Sequence, residues 1–264
     1  MDAPADAAAS GPESDGAPRS PRAHAGRQVI PRPSDATPGR AAPWAGLASD
    51  RRRGLGLARV RAALEARHRR LAAVEQVTFD ELPDPGRPAA VLVALFEEGG
   101  EARVVLTRRA GHLRTHTGEI SFPGGRLDGT ESPEAGALRE AAEEIGLDPA
   151  AVEIVGRLTP LATVSSGSAI TPVVGLLTTR PVLEPNPTEV DRVFDVALAE
   201  LTSDGVFSEE RWILPAGMVP ANPRLRDAEP DGAFPMWFFE LAHDTVWGAT
   251  ARVLMELLCL VLEC

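Results

Sequence analysis

The sequence contains no lysine, so all 27 of its basic residues are arginine. Any basic side chain that holds a phosphate here must therefore be a guanidinium, which can bind a phosphate with two parallel hydrogen bonds. Cysteine is nearly absent, because the only two, Cys259 and Cys264, lie within the last six residues. This placement indicates neither a disulfide framework nor a zinc site. We therefore expect the protein in a reducing cytoplasm.

Long apolar runs are also missing. The N-terminal residues lack the apolar core of a signal peptide. The run from Val253 to Leu262 is too short and too interrupted to span a bilayer. The net charge of -11 argues against general binding to nucleic acid or to anionic membranes. We therefore expect no membrane and no nucleic-acid partner, and the composition does not indicate an oligomeric state.

Composition divides the chain into three parts. Residues 1–50 are dominated by Ala, Pro, Gly, Ser, Asp and Arg, with few large apolar side chains, which predicts a disordered tail. Residues 51–87 are predicted to form an amphipathic helix, from Leu55 to Gln76, and a linker. Residues 88–264 are predicted to form one domain with a single sizeable core.

Apolar patterning predicts the elements of this domain. The strand-like runs Ala90–Phe96 and Ala102–Thr107 flank Gly99-Gly100, which indicates a hairpin. Further expected elements are strands at Val152–Leu158, Ile170–Leu177, Phe207–Leu214 and Met236–Leu241, a short strand within Thr188–Phe194, a turn of helix at Ala197–Leu201, a surface loop at Pro215–Gly232, and a closing helix at Val246–Leu262 capped by Asp244.

One short helix carries more acidic side chains than a fold needs. Ser132 followed by Pro133 predicts its start, and Gly146 predicts its end, which gives a helix from Pro133 to Ile145. At 100° per residue, three carboxylates lie within about 100° of one another, while an apolar face lies opposite. The carboxylates are Glu140, Glu143 and Glu144; the apolar residues are Leu138, Ala142 and Ile145.

Like charges at these spacings repel, whereas a divalent hard cation with oxygen ligands would be attracted to them. A solvated acidic face is the alternative interpretation. The residues before the helix favour the cation, since Gly124 and Gly125 allow close backbone approach to a ligand. Glu131 lies eight residues before Arg139 and is expected to pair with it and brace the loop.

The spacing from Gly125 to Leu147 resembles the Nudix box of the Nudix hydrolases. Five residues separate Gly125 from Glu131, seven separate Glu131 from Arg139-Glu140-Ala141, and single residues precede Glu143-Glu144 and Gly146-Leu147. Every specified position of the pattern matches, so the pattern is far more specific than a lone glycine-rich loop. The resemblance covers residues 88–260 and implies an α/β fold, an α/β/α sandwich with a mixed β-sheet.

The resemblance also implies a reaction, the hydrolysis of a nucleoside diphosphate linked to another group, by attack of water at phosphorus assisted by Mg²⁺ or Mn²⁺. Glu140 and Glu144, one helical turn apart, are the expected main metal ligands, and Glu143 is a third ligand or orients water. The general base is a box glutamate or a carboxylate from a later loop, for which Glu189 is the best candidate. The residues expected to act structurally are Glu131, Arg139 and Gly146.

A second stretch, Leu106–Gly125, concentrates positive charge before the helix, with Arg108, Arg109, His112, Arg114 and His116. These residues could simply balance the glutamates, or they could hold the phosphates flanking a metal site. The stretch resembles the extra motif of coenzyme A pyrophosphatases. The matching residues are Leu106-Thr107, Arg109-Ala110, Arg114, Gly118 and Phe122-Pro123-Gly124-Gly125, and the one departure is Val105 in place of leucine.

This second resemblance implies a small-molecule nucleotide substrate of the coenzyme A type. Arg109 and Arg114 are then expected to bind its phosphates, with Gly124 and Gly125 lining the substrate site. Two alternatives stay open: a Nudix enzyme for another diphosphate such as ADP-ribose or NADH, and a catalytically silent module that senses a nucleotide. The intact glutamates argue against the silent module, and the extra motif argues against the other diphosphates.

Overall fold

A computed structural model describes residues 28, 30–72, 87–111, 118–163, 168–213 and 233–264. The strands are β1 (Thr37–Pro38), β2 (Arg87–Glu98), β3 (Glu101–Arg109), β4 (Ile120–Ser121), β5 (Gly124–Arg126), β6 (Val152–Arg157), β7 (Leu161–Ala162), β8 (Ser168–Leu177), β9 (Val190–Ala197), β10 (Phe207–Ile213), β11 (Ala233–Glu240) and β12 (Thr245–Trp247). The helices are α1 (Leu57–Ala72), α2 (Pro133–Ile145), α3 (Leu198–Leu201) and α4 (Gly248–Leu262), with a short 3₁₀ turn at Pro149–Ala151.

The central sheet is mixed. Its main strands follow the order β4-β3-β2-β8-β6, while β5 pairs with β2, β7 with β8, and β9 with β3. Strand β2 runs antiparallel to β3 and parallel to β8. The predicted hairpin is confirmed, and it turns at Gly99 and Gly100, whose φ angles of 63° and 80° suit glycine.

Helices cover both faces of this sheet because residues alternate along β2. Leu92 and Ala94 face the layer that contains α2, whereas Val93 and Leu95 face the layer that contains α1 and α4. The α/β/α arrangement with a mixed sheet, predicted from the sequence, is confirmed. Among the described residues no helix is long and apolar enough to cross a bilayer.

A second sheet of order β1-β10-β11-β12 corrects the prediction for the tail. Residues 30–50 pack on the domain, and Trp44 is only 1% exposed, with its ring 5.2 Å from Phe207 and 6.3 Å from Phe239. Glu209 holds the same segment, since its carboxylate accepts hydrogen bonds from the backbone N–H of Arg40 at 3.0 Å and from Trp237 Nε1 at 3.0 Å.

The prediction of a disordered tail is therefore wrong for residues 30–50, and residues 1–27 lie outside the described part of the chain. The average composition of this segment does not show the effect of one large aromatic residue. The burial of Trp44 supplies the apolar area that the rest of the segment lacks.

Helix α1 begins where carboxylates from the β2–β3 hairpin meet its first N–H groups. Glu97 accepts a hydrogen bond from the Leu57 N–H at 2.8 Å, and Glu101 accepts from Gly54 and Leu55 at 2.6 and 3.0 Å. The helix starts two residues later than predicted because these carboxylates act as its cap. Residues 73–76 of the predicted helix lie outside the described residues.

Asp244 does not cap the closing helix as predicted. Helix α4 begins at Gly248, and its N-cap, Trp247, makes no side-chain cap bond. Asp244 is buried and instead pairs with Arg108, at 3.4 Å, and with Arg192, because these guanidinium groups compensate a buried carboxylate better than backbone N–H groups alone. The loop predicted at Pro215–Gly232 lies outside the described residues.

Candidate active site

Helix α2 begins and ends where its sequence predicts. The Ser132 Oγ accepts a hydrogen bond from the Ala135 N–H at 3.2 Å, and Pro133 occupies the first turn. Gly146 ends the helix with φ at 65°, and its N–H donates to the Ala142 carbonyl at 3.0 Å. These local signals fix which side chains share a face of the helix.

The apolar face of α2 differs by one position from the prediction. The buried side chains are Ala137, Ala141 and Ile145, while Leu138 and Ala142 are only half-buried. The helix is therefore rotated so that the core face borders the carboxylate face. As a result Glu144 is 4% exposed, whereas Glu143 remains exposed.

The buried carboxylate of Glu144 meets the loop that precedes the helix. Its Oε2 accepts a hydrogen bond from the Gly124 N–H at 3.1 Å. Gly124 has φ at 154°, and a Cβ there would lie 2.4 Å from the Ala90 carbonyl oxygen. Only glycine allows β5 to approach β2 this closely, so the residue that donates to Glu144 cannot carry a side chain.

Glu140 lies against the second glycine of the same pair. A Cβ on Gly125 would lie 2.5 Å from the Glu140 carboxyl carbon, so glycine also makes room for this carboxylate. The Glu140 Oε1 accepts a hydrogen bond from Arg139 Nη1 at 3.0 Å. The two glycines therefore bring one strand against both carboxylates.

Arg139 ties the loop to the helix. Its guanidinium donates to both carboxylate oxygens of Glu131, at 3.1 and 3.0 Å, and to the Arg126 carbonyl at 3.0 Å. It also donates to Glu143 at 3.3 Å. The pairing of Arg139 with Glu131 expected from their spacing is present, and these hydrogen bonds hold the pKa of the Glu131 carboxyl below its usual range.

Burial changes the protonation of the two carboxylates. Burial raises the pKa of Glu144 to about 7, against the opposing effects of the Gly124 N–H and of Arg109, and the negative charges of Glu140 and Glu189 raise it further. The pKa of Glu140 is also raised, first by burial, although Arg139 opposes the change. Both shifts come mainly from the loss of water around the carboxylates, so a bound cation would stabilise their ionised forms.

Arg109 ends strand β3 beside this charge. Its Nη1 lies 4.0 Å from Glu144 Oε1, and its Nε is buried without a hydrogen-bond partner in the described part of the chain. Arg108, the preceding residue, points to the other face of the sheet and pairs with Asp244. Arg114, His112 and His116 fall within residues 112–117 and lie outside the described residues.

Glu189 reaches the site through strand pairing. Its carbonyl accepts a hydrogen bond from the Ala110 N–H at 2.8 Å, which places Glu189 next to the end of β3. Its side chain is exposed and close enough to raise the pKa of both Glu140 and Glu144. The structure therefore brings Glu189 to the carboxylate cluster, although it lies 45 positions after Glu144 along the chain.

Sequence reasoning missed Asn186, which attaches the Glu189 loop to α2. The Asn186 N–H donates to the Glu144 carbonyl at 2.8 Å, and its Nδ2 donates to the Glu143 carbonyl at 3.4 Å. Its Oδ1 accepts from the N–H and the hydroxyl of Thr188 at 3.2 and 2.7 Å. The Asn-Pro-Thr sequence indicates such a turn, but not that the turn meets the last carbonyls of a distant helix.

The donor set suits a hard divalent cation. Among the described residues no three His, Cys, Asp or Glu side chains converge into a ready metal cage, and Arg139 Nη1 donates to both Glu140 and Glu143, at 3.0 and 3.3 Å. Mg²⁺, however, commonly binds through one or two carboxylates together with water and substrate phosphates. Glu140 and Glu144, whose pKa values are raised mainly by burial, fit that mode of binding because a cation would stabilise their ionised forms.

Comparison with known proteins identifies similarity over the region that contains this site. A family model described as the NUDIX domain matches residues 86–204. The chain is 36% identical over 183 residues to a Salmonella heidelberg protein named "Uncharacterized Nudix hydrolase NudL", which covers 69% of this chain and 85% of that protein.

Two solved structures are similar at a lower level. One is a MutT/nudix family protein from Enterococcus faecalis, with 16% identity and a TM-score of 0.43, covering 76% of this chain and 72% of that one. The other is RenU, a Nudix hydrolase from M. Smegmatis, with 26% identity and a TM-score of 0.37, covering 42% of this chain and 70% of that one.

Proposed function

Because the chain belongs to the Nudix hydrolases, which act on diphosphate bonds, we propose that it hydrolyses the diphosphate of coenzyme A or of its derivatives. The products are 3′,5′-ADP and 4′-phosphopantetheine, or acyl-phosphopantetheine from an acylated substrate. The reaction requires Mg²⁺ or Mn²⁺ held by the α2 carboxylates. The small-molecule nucleotide substrate enters beside the ends of β3 and β5.

The observation that carries this proposal is the contact between two motifs. The segment Phe122-Pro123-Gly124-Gly125, which resembles part of the coenzyme A pyrophosphatase motif, donates through Gly124 to the carboxylate of Glu144. Arg109, from the same motif, lies 4.0 Å from that carboxylate. Residues that would select the substrate thus adjoin residues that would assist the reaction, as a diphosphate substrate requires.

We assign the metal-ligand role to Glu140 and Glu144. A bound cation would neutralise charge on the bridging phosphate oxygens. The N–H of Gly124 orients the Glu144 carboxylate, and the Arg139 guanidinium orients that of Glu140. Glu143, which is exposed, is the third ligand once it leaves Arg139, or it orients water.

Proton removal from the attacking water is assigned to Glu189, with a box glutamate as the alternative. Glu189 is exposed on a loop anchored to α2, so its carboxylate can accept a proton and exchange it with solvent. Arg109 is assigned to the diphosphate because its Nη1 lies 4.0 Å from the Glu144 carboxylate, and Arg114 is assigned to another phosphate of coenzyme A. Guanidinium groups at both places would stabilise charge that develops on the phosphates.

A substrate panel with product identification tests the proposal. The purified chain is incubated with Mg²⁺ or Mn²⁺ and coenzyme A, acyl-coenzyme A, oxidised coenzyme A, ADP-ribose or NADH, and the products are separated. We expect the highest specificity constant for a coenzyme A species, with 3′,5′-ADP as a product. Faster hydrolysis of ADP-ribose or NADH would reject the coenzyme A assignment, and binding without turnover of any substrate would indicate a sensing module.

A further inference from the structure

The two cysteines meet at the C-terminal end of α4. Cys264 Sγ lies 3.2 Å from Cys259 Sγ. Cys264 is exposed, whereas Cys259 is half-buried beside Met255, with the two sulfur atoms 3.9 Å apart. In the described residues these thiols therefore form a contact pair with one member open to solvent.

The helix cap makes this contact. Glu263 adopts the left-handed conformation, with φ at 59° and ψ at 45°. The N–H groups of Glu263 and Cys264 both donate to the Cys259 carbonyl, the latter at 3.1 Å. A helix that ends in this way brings the side chain that follows the left-handed residue against the side chain five positions earlier, a contact that is usually apolar.

The cap geometry is held firmly. Glu263 is the one non-glycine residue with positive φ among the described residues, a conformation that L residues seldom adopt. Leu262 and Val261, which precede it, are 0% and 2% exposed, so the core fixes the end of the helix. The meeting of two thiols thus follows from the fold of the helix end rather than from a chance side-chain orientation.

We propose that Cys259 and Cys264 form a thiol–disulfide exchange site that closes to an intramolecular disulfide when a small-molecule disulfide is the oxidant. The exposed Cys264 thiolate attacks the small disulfide, forms a mixed disulfide and releases one thiolate. Cys259 Sγ then attacks Cys264 Sγ and releases the second thiolate. One small disulfide is reduced to two thiols, two protein thiols are oxidised, and their two protons pass to the released thiolates.

The order of the two steps follows from exposure. Burial, together with the neighbouring Cys264 thiol, raises the pKa of Cys259 to about 12, so Cys259 is a poor first nucleophile. After Cys264 has reacted, Cys259 attacks a sulfur that already lies next to it. The high effective concentration of this sulfur compensates for the small thiolate fraction of Cys259. To form an S–S bond of about 2.05 Å, the two Sγ atoms must approach from their present separation of 3.2 Å.

The experiment uses the full chain and oxidised glutathione. Intact mass and the number of free thiols under denaturing conditions are followed over time for wild type, Cys259→Ser and Cys264→Ser. Wild type should lose both thiols and two hydrogen masses, with no retained glutathione. Cys259→Ser should stop at a mixed disulfide with one glutathionyl group. Cys264→Ser should react at least about ten times more slowly than Cys259→Ser, because its remaining thiol, Cys259, has a raised pKa.

A second pair of variants tests the role of the cap without removing a thiol. Glu263→Gly favours the left-handed conformation and should retain disulfide closure, whereas Glu263→Val disfavours it and should slow closure about five-fold or more. Wild-type protein that accumulates the same mixed disulfide as Cys259→Ser would overturn the proposal. If the disulfide closed at the same rate in Glu263→Gly, Glu263→Val and urea-unfolded wild type, the helix cap would not be the cause of closure. Neither outcome depends on diphosphate hydrolysis.

Discussion

Glu144 accepts a hydrogen bond at 3.1 Å from the backbone N–H of Gly124, twenty residues earlier in the chain. The bond joins the glutamate helix to the loop before it and places a carboxylate of 4% exposure beside Arg109. Because Gly124 cannot be replaced without a clash against β2, the position of this carboxylate depends on the sheet as much as on the helix.

The first prediction concerns the charge on Glu144. Glu144→Gln keeps the size of the side chain and a carbonyl acceptor for the Gly124 N–H, but it removes the negative charge that would hold the cation. We expect turnover to fall by several orders of magnitude at saturating Mg²⁺, with the melting temperature maintained. The control is Glu153→Gln, whose carboxylate forms an exposed pair with Arg61 and should leave turnover nearly unchanged. More than about a tenth of wild-type turnover in Glu144→Gln, a loss below 1.4 kcal/mol, would contradict the metal assignment.

The second prediction concerns pH and metal. The pKa of Glu144 is raised to about 7 from 4.5, so between these values the folded, metal-free chain binds more protons than the unfolded chain. Its free energy of unfolding should therefore decrease as pH rises from about 4.5 to 7, by up to roughly 3 kcal/mol at 1.36 kcal/mol per pKa unit. Glu140 contributes with the same sign because its pKa is also raised.

Urea unfolding in EDTA, compared with unfolding in Mg²⁺ or Mn²⁺, measures this effect. Since the cation binds the deprotonated carboxylates, it should stabilise the protein more at pH 8 than at pH 5. Glu144→Gln should lose most of this difference. Equal stabilisation by metal at both pH values in wild type would show that these carboxylates do not bind it.

The third prediction concerns Trp44. Trp44→Ala removes a 1% exposed ring from its contacts with Phe207 and Phe239, and should lower the free energy of unfolding by about 3–5 kcal/mol. Val182→Ala, at a side chain 88% exposed, is the matched control and should change it little. Deletion of residues 1–50 should destabilise the protein as Trp44→Ala does, while deletion of residues 1–27 should not. Unchanged denaturant midpoints for Trp44→Ala would show that the segment does not pack on the domain.

The fourth prediction concerns Asn186 and Glu189. Asn186→Ala removes the side-chain bonds that attach the Glu189 loop to the Glu143 carbonyl and to Thr188. It should lower kcat by up to about ten-fold, the effect of one displaced hydrogen bond. Asn186→Asp keeps the acceptor for Thr188 and replaces the Nδ2 donor with a charged oxygen, so the contact with Thr188 is retained while the bond to the Glu143 carbonyl is lost.

A double-mutant cycle determines whether Asn186 acts through Glu189. If it does, Asn186→Ala should reduce kcat much less in a Glu189→Gln background than in wild type, while KM changes little. The same fractional loss in both backgrounds would show that Asn186 stabilises the fold without positioning Glu189. Melting temperatures of all variants, measured in parallel, identify any general loss of structure.

The fifth prediction concerns substrate selection by arginine. Arg109→Ala and Arg114→Ala should each lower the specificity constant for coenzyme A by about 10- to 100-fold, the loss expected for a charge-assisted bidentate contact. Because Arg109 adjoins Glu144, its loss should affect dephospho-coenzyme A equally, which indicates contact with the diphosphate. Arg114→Ala should affect dephospho-coenzyme A less if it binds the 3′-phosphate. Arg61→Ala, at an exposed surface pair, is the control, and an unchanged specificity constant in Arg114→Ala would reject its assignment.

The sequence by itself determined the elements whose causes lie within a few residues. Ser132, Pro133 and Gly146 fix the bounds of α2 because caps act on neighbouring N–H and carbonyl groups. Gly99 and Gly100 fix the hairpin for the same local reason. The spacing of the box, read with these caps, also placed Glu140, Glu143 and Glu144 on adjoining positions of one helix.

Only the tertiary structure decided the environments of these groups. Burial raised the pKa of Glu144, because the cost of charge depends on neighbours from β2 and β5 that lie far away in sequence. Strand pairing brought Glu189 to the carboxylate cluster, and Asn186 donates to a carbonyl at the end of α2. Trp44 packs against two phenylalanines that lie more than 160 residues later in the chain. Local composition carries no information about such partners.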